Sequence, residues 1–102
     1  MKLDVIVIQF AKFPRLGGVK TRLQPLVGEQ GSFDLHQKLV RHVNSTLINS
    51  SIFNVLALDQ ISSSPFVNEL SACTAVILQQ GDDLGERMQN AIAWGLDRAD
   101  KV

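Results

Sequence analysis

Residues Leu3 to Phe10 form a short apolar run, carrying Leu3, Val5, Ile6, Val7, Ile8 and Phe10. Only Asp4 and Gln9 interrupt it. A strand with one wet face alternates polar and apolar residues. A nearly continuous, β-branched run suits a central parallel strand covered on both faces. Parallel strands need long crossovers, usually helices. The rest of the chain has to supply helices on both faces of a sheet.

It does so in order. Residues 11–31 contain Pro14, Gly17, Gly18, Pro25, Gly28 and Gly31, which predicts a long structured loop with one short helical turn near Thr21–Leu26. Ser32 is a candidate cap for a helix to about Ile48. Leu35, Leu39, Val43 and Leu47 recur every four residues and predict its core-facing stripe, with Val40 and Ile48 widening it. Phe53 to Leu58 reads as a second buried strand. Ser64-Pro65 combines a cap with a proline at the first helical position, starting a short helix to about Ser71. Thr74 to Leu78 reads as a third strand. Asp83 and Glu86 have capping-box spacing and open a last helix to about Ala99, with Met88, Ile92, Trp94 and Leu96 as its apolar surface. The β-α-β-α-β-α order predicts an α/β fold with a parallel sheet and right-handed crossovers.

Length fixes the scale. A chain of 102 residues, 45% of them apolar, forms one modest core and has no room for a second full domain. A three-stranded sheet is small, and the sequence ends just after the last helix. The expectation is a single partial domain over residues 1–102, stopping before a fourth strand and leaving the first strand with an open edge.

The formal net charge is zero, which removes the simplest argument for nucleic-acid binding. The zero hides an asymmetry. Residues 1–41 carry seven basic and three acidic side chains, and residues 42–102 carry three basic and seven acidic ones. A basic cluster on a neutral chain suggests a small anionic ligand more than a long polyanion. The only cysteine, Cys73, lies beside an apolar run and reads as a buried, inert thiol. His36 and His42 are six residues apart on one helix, without metal-ligand spacing, and read as surface or interface histidines. No secretory signal or membrane span is visible, so no membrane partner is expected and the default location is the cytoplasm.

Chemistry concentrates in two segments. Lys12, Gly17, Gly18, Lys20, Thr21 and Arg22 follow the carboxyl end of the first strand, where α/β proteins place ligands. Glycines let backbone N–H groups approach an anion. Lys20 offers a mobile charge, Arg22 a fork matched to phosphate oxygens and Thr21 a hydroxyl. Together they describe a diphosphate or triphosphate cradle. It is neither a P-loop nor a dinucleotide fingerprint, because Val19 precedes Lys20 and no GxGxxG occurs. The second segment follows the third strand and carries Gln80, Gly81, Asp82, Asp83, Gly85, Glu86 and Arg87. Its amides and carboxylates suit a base edge or ribose hydroxyls; alternatively, Asp83 and Glu86 simply cap the helix. Asp82 and Asp83 are weak metal candidates, and Asp59 is a third carboxylate at a strand end.

At these two segments the chain resembles the GT-A-type nucleotide-diphospho-sugar transferase superfamily. The pattern is similar to a bacterial glycosyltransferase-like family of uncertain activity, the radical-SAM/selenodomain-associated transferases. Phe10, Ala11, Lys12, Pro14, Gly17, Val19, Lys20, Thr21, Arg22 and Leu23 carry its first signature. Gln80 and Asp83 to Arg87 carry the second, with Gly81 one residue early and Asp82 inserted. The resemblance implies a three-layer Rossmann-like sheet, present here as its N-terminal nucleotide-binding half. It implies that Lys20 and Arg22 hold the phosphates of a nucleotide or nucleotide sugar, with Gln80 to Arg87 near the base and ribose. It also implies a divalent metal (Mg²⁺ or Mn²⁺) in the whole protein, held by a glycine-Ser/Thr-aspartate strand end beyond Val102, so that these residues bind without catalysing. Two alternatives stay open: a guanylyltransferase-like nucleotidyltransferase, and a non-catalytic module that forms homo-oligomers through the open sheet edge.

Overall fold

The computed structural model describes residues 2–102. The apolar run becomes two collinear strands, β1 (Leu3–Val5) and β2 (Val7–Ala11), meeting at the fully buried Ile6. Successive amides of an extended chain point to opposite sides, and this junction uses both. Ile6 N–H donates to the Lys101 carbonyl at 2.9 Å, and Val7 N–H to that of Phe53 at 3.1 Å. One long first strand therefore pairs on one side along its lower half and on the other side along its upper half.

On the upper side β2 pairs in parallel with β3 (Asn54–Leu58), and β3 with β4 (Ala75–Leu78). On the lower side β1 pairs in parallel with β5 (Ala99–Lys101), with Leu3 opposite Ala99 and Val5 opposite Lys101. The expectation that the chain stops short of a fourth strand is corrected: the last helix ends before Ala99, and three residues of that strand are in place. Arg98 to Lys101 carry no apolar run, so only their distant partner, the first strand, reveals them as strand. Among the described residues β2 pairs on its β3 side alone, so its other side is an open edge.

Three helices cover the sheet. A 3₁₀ turn (Thr21–Leu23) leads into α1 (Gln24–Asn49), which is broken at Gly28 by a left-handed φ of 76° that glycine adopts without steric cost. The predicted helical turn is thus present, but the helix proper begins earlier than Ser32. That serine is not a cap; it is buried inside α1. The α2 helix (Pro65–Ser71) starts where predicted, with the Ser64 hydroxyl accepting from Val67 N–H at 3.0 Å. The α3 helix (Leu84–Leu96) starts at Asp83, whose carboxylate accepts from Glu86 N–H at 2.8 Å.

The strand alternation assigns the layers. Leu56 and Leu58 point to one face and pack with Val40 of α1 and Phe66, Val67 and Leu70 of α2. Ile6 and Val55 point to the other and pack with Ala99, Ile77 and Trp94 of α3. The first two crossovers run over one face and step outward from the first strand. The third runs over the opposite face and returns past it to β5. The order β4–β3–first strand–β5 therefore reverses beside β2, and its carboxyl end is the topological switch point where open α/β sheets bind ligands.

The predicted core face of α1 is corrected: of that face only Val40 is buried. Ser32, His36, Val40 and Asn44 are the buried row, whereas Leu39 and Val43 are exposed and Leu35 and Leu47 half-buried. Three of the four buried residues are polar, and two find long-range partners. Asn44 accepts from the Thr74 hydroxyl at 2.7 Å, tying α1 to the start of β4. His36 is discussed with the site. On α3, likewise, Ala91 and Gly95 are buried while Met88, Ile92 and Leu96 are exposed. Cys73, expected inside, is also exposed, in the turn after α2.

Candidate functional site at the carboxyl end of the first strand

The rim of the sheet is laced by two side chains. Gln79 follows β4, and its amide donates to the carbonyls of Ala57 at 2.9 Å and Ala11 at 3.3 Å. One side chain thus joins the carboxyl ends of β2, β3 and β4. Asp59 follows β3 and accepts from Phe13 N–H at 2.7 Å. Arg15 bridges back, to Asp59 at 3.5 Å and to the Gln60 amide oxygen at 2.7 Å. These bonds fix the start of the loop after β2, and the buried Phe13 anchors it in the core. Asp59 is therefore committed to holding the loop, which is the bland alternative for a strand-end carboxylate.

Beyond Arg15 the loop turns sharply. Gly17 has φ 79°, and Gly18 N–H donates to the Arg15 carbonyl at 3.0 Å. Val19 is buried, and Lys20 then takes a left-handed conformation, φ 50° and ψ 42°. For a residue with a Cβ this costs roughly 1–2 kcal/mol, and such strain is held only where surrounding contacts over-determine it.

The turn brings Lys20, Thr21 and Arg22 to an open cavity of 600 Å³ between β2 and α1, with Lys12 and His36 on its wall. Of the six residues assigned to a phosphate cradle, these four line it. Gly17 and Gly18 shape the turn and contribute no surface to it. Its floor is apolar, from Val40 and Val43 of α1 and Ala11 of β2. A volume of this order suits a nucleotide-sized ligand.

A second cavity of 440 Å³ opens on the other face of the sheet, between β2 and the start of α3. Lys12, Asp59, Gln79 and Arg87 line it, and Phe10, Ala11 and Lys12 are common to both cavities. From the second segment Leu84 reaches this space, and so does Arg87. Its guanidinium donates to the Gly81 carbonyl at 3.0 Å and to Gln79 at 3.5 Å, which orders the turn before α3. Gln80 lies on the outer side, its carbonyl accepting from Asn90 at 2.8 Å. Gly81, Asp83, Gly85 and Glu86 line neither cavity, and Asp83 serves as the helix cap. Among the described residues no three Asp, Glu, His or Cys side chains converge as a metal site, so they do not form a protein cage for the divalent ion implied by the resemblance.

His36 is the residue that sequence reasoning misread. It is 4% exposed, and its ring bridges two parts of the loop. Nε2 lies 2.8 Å from the Lys12 carbonyl and Nδ1 lies 3.2 Å from the Lys20 ammonium. Burial lowers its pKa below the usual histidine value, and the Lys20 and Lys12 charges push the same way, while the Lys12 carbonyl and Asp59 oppose them. No local pattern marks it; only its place in the row of buried positions does. No helix is long and apolar enough among the described residues to cross a membrane.

Searches against family models and against curated proteins gave no match. Among solved structures, the chain is similar to a protein of Desulfovibrio desulfuricans G20 provisionally described as a nucleotide-diphospho-sugar transferase. The TM-score is 0.77 and the identity 28%, over 95% of this chain and 43% of that one. The chain thus spans less than half the length of that neighbour. The superfamily resemblance carried by the two motifs extends to the whole architecture, and the chain has the α/β fold of a nucleotide-diphospho-sugar transferase over that part of its length.

Proposed function

We propose that these residues are the nucleotide-binding part of a glycosyltransferase-like protein that uses an activated nucleotide-sugar donor. The observation that carries the reading is the convergence of Lys12, Lys20, Thr21 and Arg22 on one cavity at the topological switch point. Three cations there match the charge of a diphosphate, and the apolar floor suits a flat base or the carbon face of a sugar. The name of the Desulfovibrio neighbour supports the donor class. Arg87 and Gln79, across Lys12, are the groups proposed to meet the remainder of the nucleotide.

Calorimetric titration with nucleosides, nucleoside diphosphates and nucleotide sugars, with and without Mg²⁺, tests this. Diphosphates are expected to bind at least about tenfold more tightly than the matching nucleosides, about 1.4 kcal/mol. The advantage should shrink with added salt because the cations are exposed. Equal affinity for nucleoside and diphosphate, or no binding of either, overturns the reading.

The open edge of β2 favours a second reading that concerns assembly. Among the described residues the backbone groups along that edge are unpaired, and exposed apolar side chains flank it on both faces: Leu39 and Val43 from α1, Met88 and Ile92 from α3. An uncovered edge with apolar flanks is a template for strand pairing. We infer that a second copy of the chain covers it in solution. Light scattering should give a dimer or larger species at micromolar concentration; a monomer throughout that range overturns the inference.

A further inference from the structure

The Lys12 carbonyl can only accept a hydrogen bond. His36 Nε2, 2.8 Å away, must therefore carry the proton. In the neutral ring that leaves Nδ1 as an acceptor, 3.2 Å from the Lys20 ammonium, which can only donate. The contacts thus select one tautomer without further assumption. They also join three points of the loop: the backbone where it leaves β2, a buried ring on α1, and the side chain of a residue whose own backbone is held left-handed. An exposed lysine normally samples many rotamers. This one has its ammonium tied beside the cavity by a buried ring that is itself bonded to the Lys12 carbonyl.

We propose that His36 is the positioning residue of the phosphate cradle: its Nε2–H tautomer, locked by the Lys12 carbonyl, offers Nδ1 as the acceptor that holds the Lys20 ammonium against the cavity. The proposal rests on the phosphate-binding reading of that cavity. It adds that the lysine is pre-organised rather than recruited by the ligand, so less rotamer freedom is lost on binding. It also makes the cradle sensitive to acid. A second proton on Nδ1 turns the acceptor into a donor facing an ammonium, and the contact is lost. The charged groups around the ring are Lys20 and Lys12, which disfavour that proton, and Asp59 at the end of β3, which favours it. With burial added, the balance keeps the ring neutral below the usual histidine range. The contact is therefore complete at and above the ordinary histidine value, and disappears as pH falls through the lowered one.

Three measurements on the whole chain test this. Nitrogen-15 NMR of the ring at neutral pH should show a protonated Nε2 and a bare Nδ1; the opposite tautomer overturns the proposal. Pyrophosphate is the binding probe, titrated by calorimetry into the parent chain, His36→Leu, His36→Gln and Lys20→Met. His36→Leu should weaken binding about tenfold at pH 7.5, the order expected for one charge-assisted contact. His36→Gln retains a donor and an acceptor but cannot titrate. It should recover most of the affinity, and the parent-to-Gln affinity ratio should fall as pH drops through the lowered histidine value. Pyrophosphate's own ionisation is common to both proteins and cancels in that ratio. If Lys20→Met weakens binding but His36→Leu does not, the positioning role is wrong and the cradle stands. A ratio that stays flat while nitrogen-15 NMR reports protonation of the ring overturns the role as well. If the parent binds no pyrophosphate, the cradle itself fails and takes the role with it.

Discussion

Lys20→Glu is expected to weaken binding of a nucleoside diphosphate by about 2–4 kcal/mol, about thirtyfold to several hundredfold. The range follows from its exposure. Two unit charges about 4 Å apart interact by about 1 kcal/mol in water and about 4 kcal/mol at the effective dielectric of a protein surface. Reversing the sign removes the attraction and adds a repulsion, while solvent and salt screen both. The charge change also alters the whole protein's field, so a control is needed. Lys38→Glu makes the same change on α1, where the side chain is exposed and outside both cavities. It should cost less than about 1 kcal/mol. Calorimetry at two salt concentrations separates the cases. If Lys38→Glu is as damaging as Lys20→Glu, the binding is a diffuse field effect and the local cradle is the wrong description.

The grouping of Lys20 with Thr21 and Arg22 at one strand end was legible in the sequence because its signal is local. A glycine turn, a cation, a hydroxyl and an arginine within six residues, after a buried strand, place these groups together without a structure. The helix starts at Ser64 and Asp83 were legible for the same reason, since a cap and its amide are three residues apart. Features that depend on distant partners were not. His36 meets Lys12 across 24 residues and Asn44 meets Thr74 across 30, so no window of sequence shows that either polar group is satisfied. Ala99 to Lys101 become strand because residues at the opposite end of the chain present a free edge. The second segment shows the converse. Its pattern was visible, but most of it builds the start of α3, and of its charged groups only Arg87 lines the cavity beside β2.

The orientation of α1 gives the largest expected effect on stability, and it separates two core maps. The apolar stripe through Leu39 and Val43 obeys helical periodicity, and a stripe normally faces the core. Periodicity fixes which residues share a face, not how the helix is turned about its axis. Here the sheet is met by the neighbouring row, and the stripe is turned toward the open edge of β2. Leu58, with no exposed surface, sits opposite the buried row among Val40, Phe66 and Leu70. Leu58→Ala should therefore cost about 2–5 kcal/mol, the transfer term plus the cavity left behind. A domain of this length has only about 5–15 kcal/mol in total, so much of its stability is lost and Tm falls by at least about 10 °C. Leu39 is 46% exposed, and Leu39→Ala should cost less than about 1 kcal/mol. Urea unfolding of both variants, at a concentration where light scattering shows a monomer, measures the two costs without a contribution from assembly. At higher concentration Leu39→Ala should instead weaken self-association, since that side chain flanks the open edge. Equal destabilisation of the monomer by the two substitutions would mean that α1 buries its apolar stripe after all. His36 would then be turned away from Lys20, and the structural basis of the pre-organised cradle would go with it.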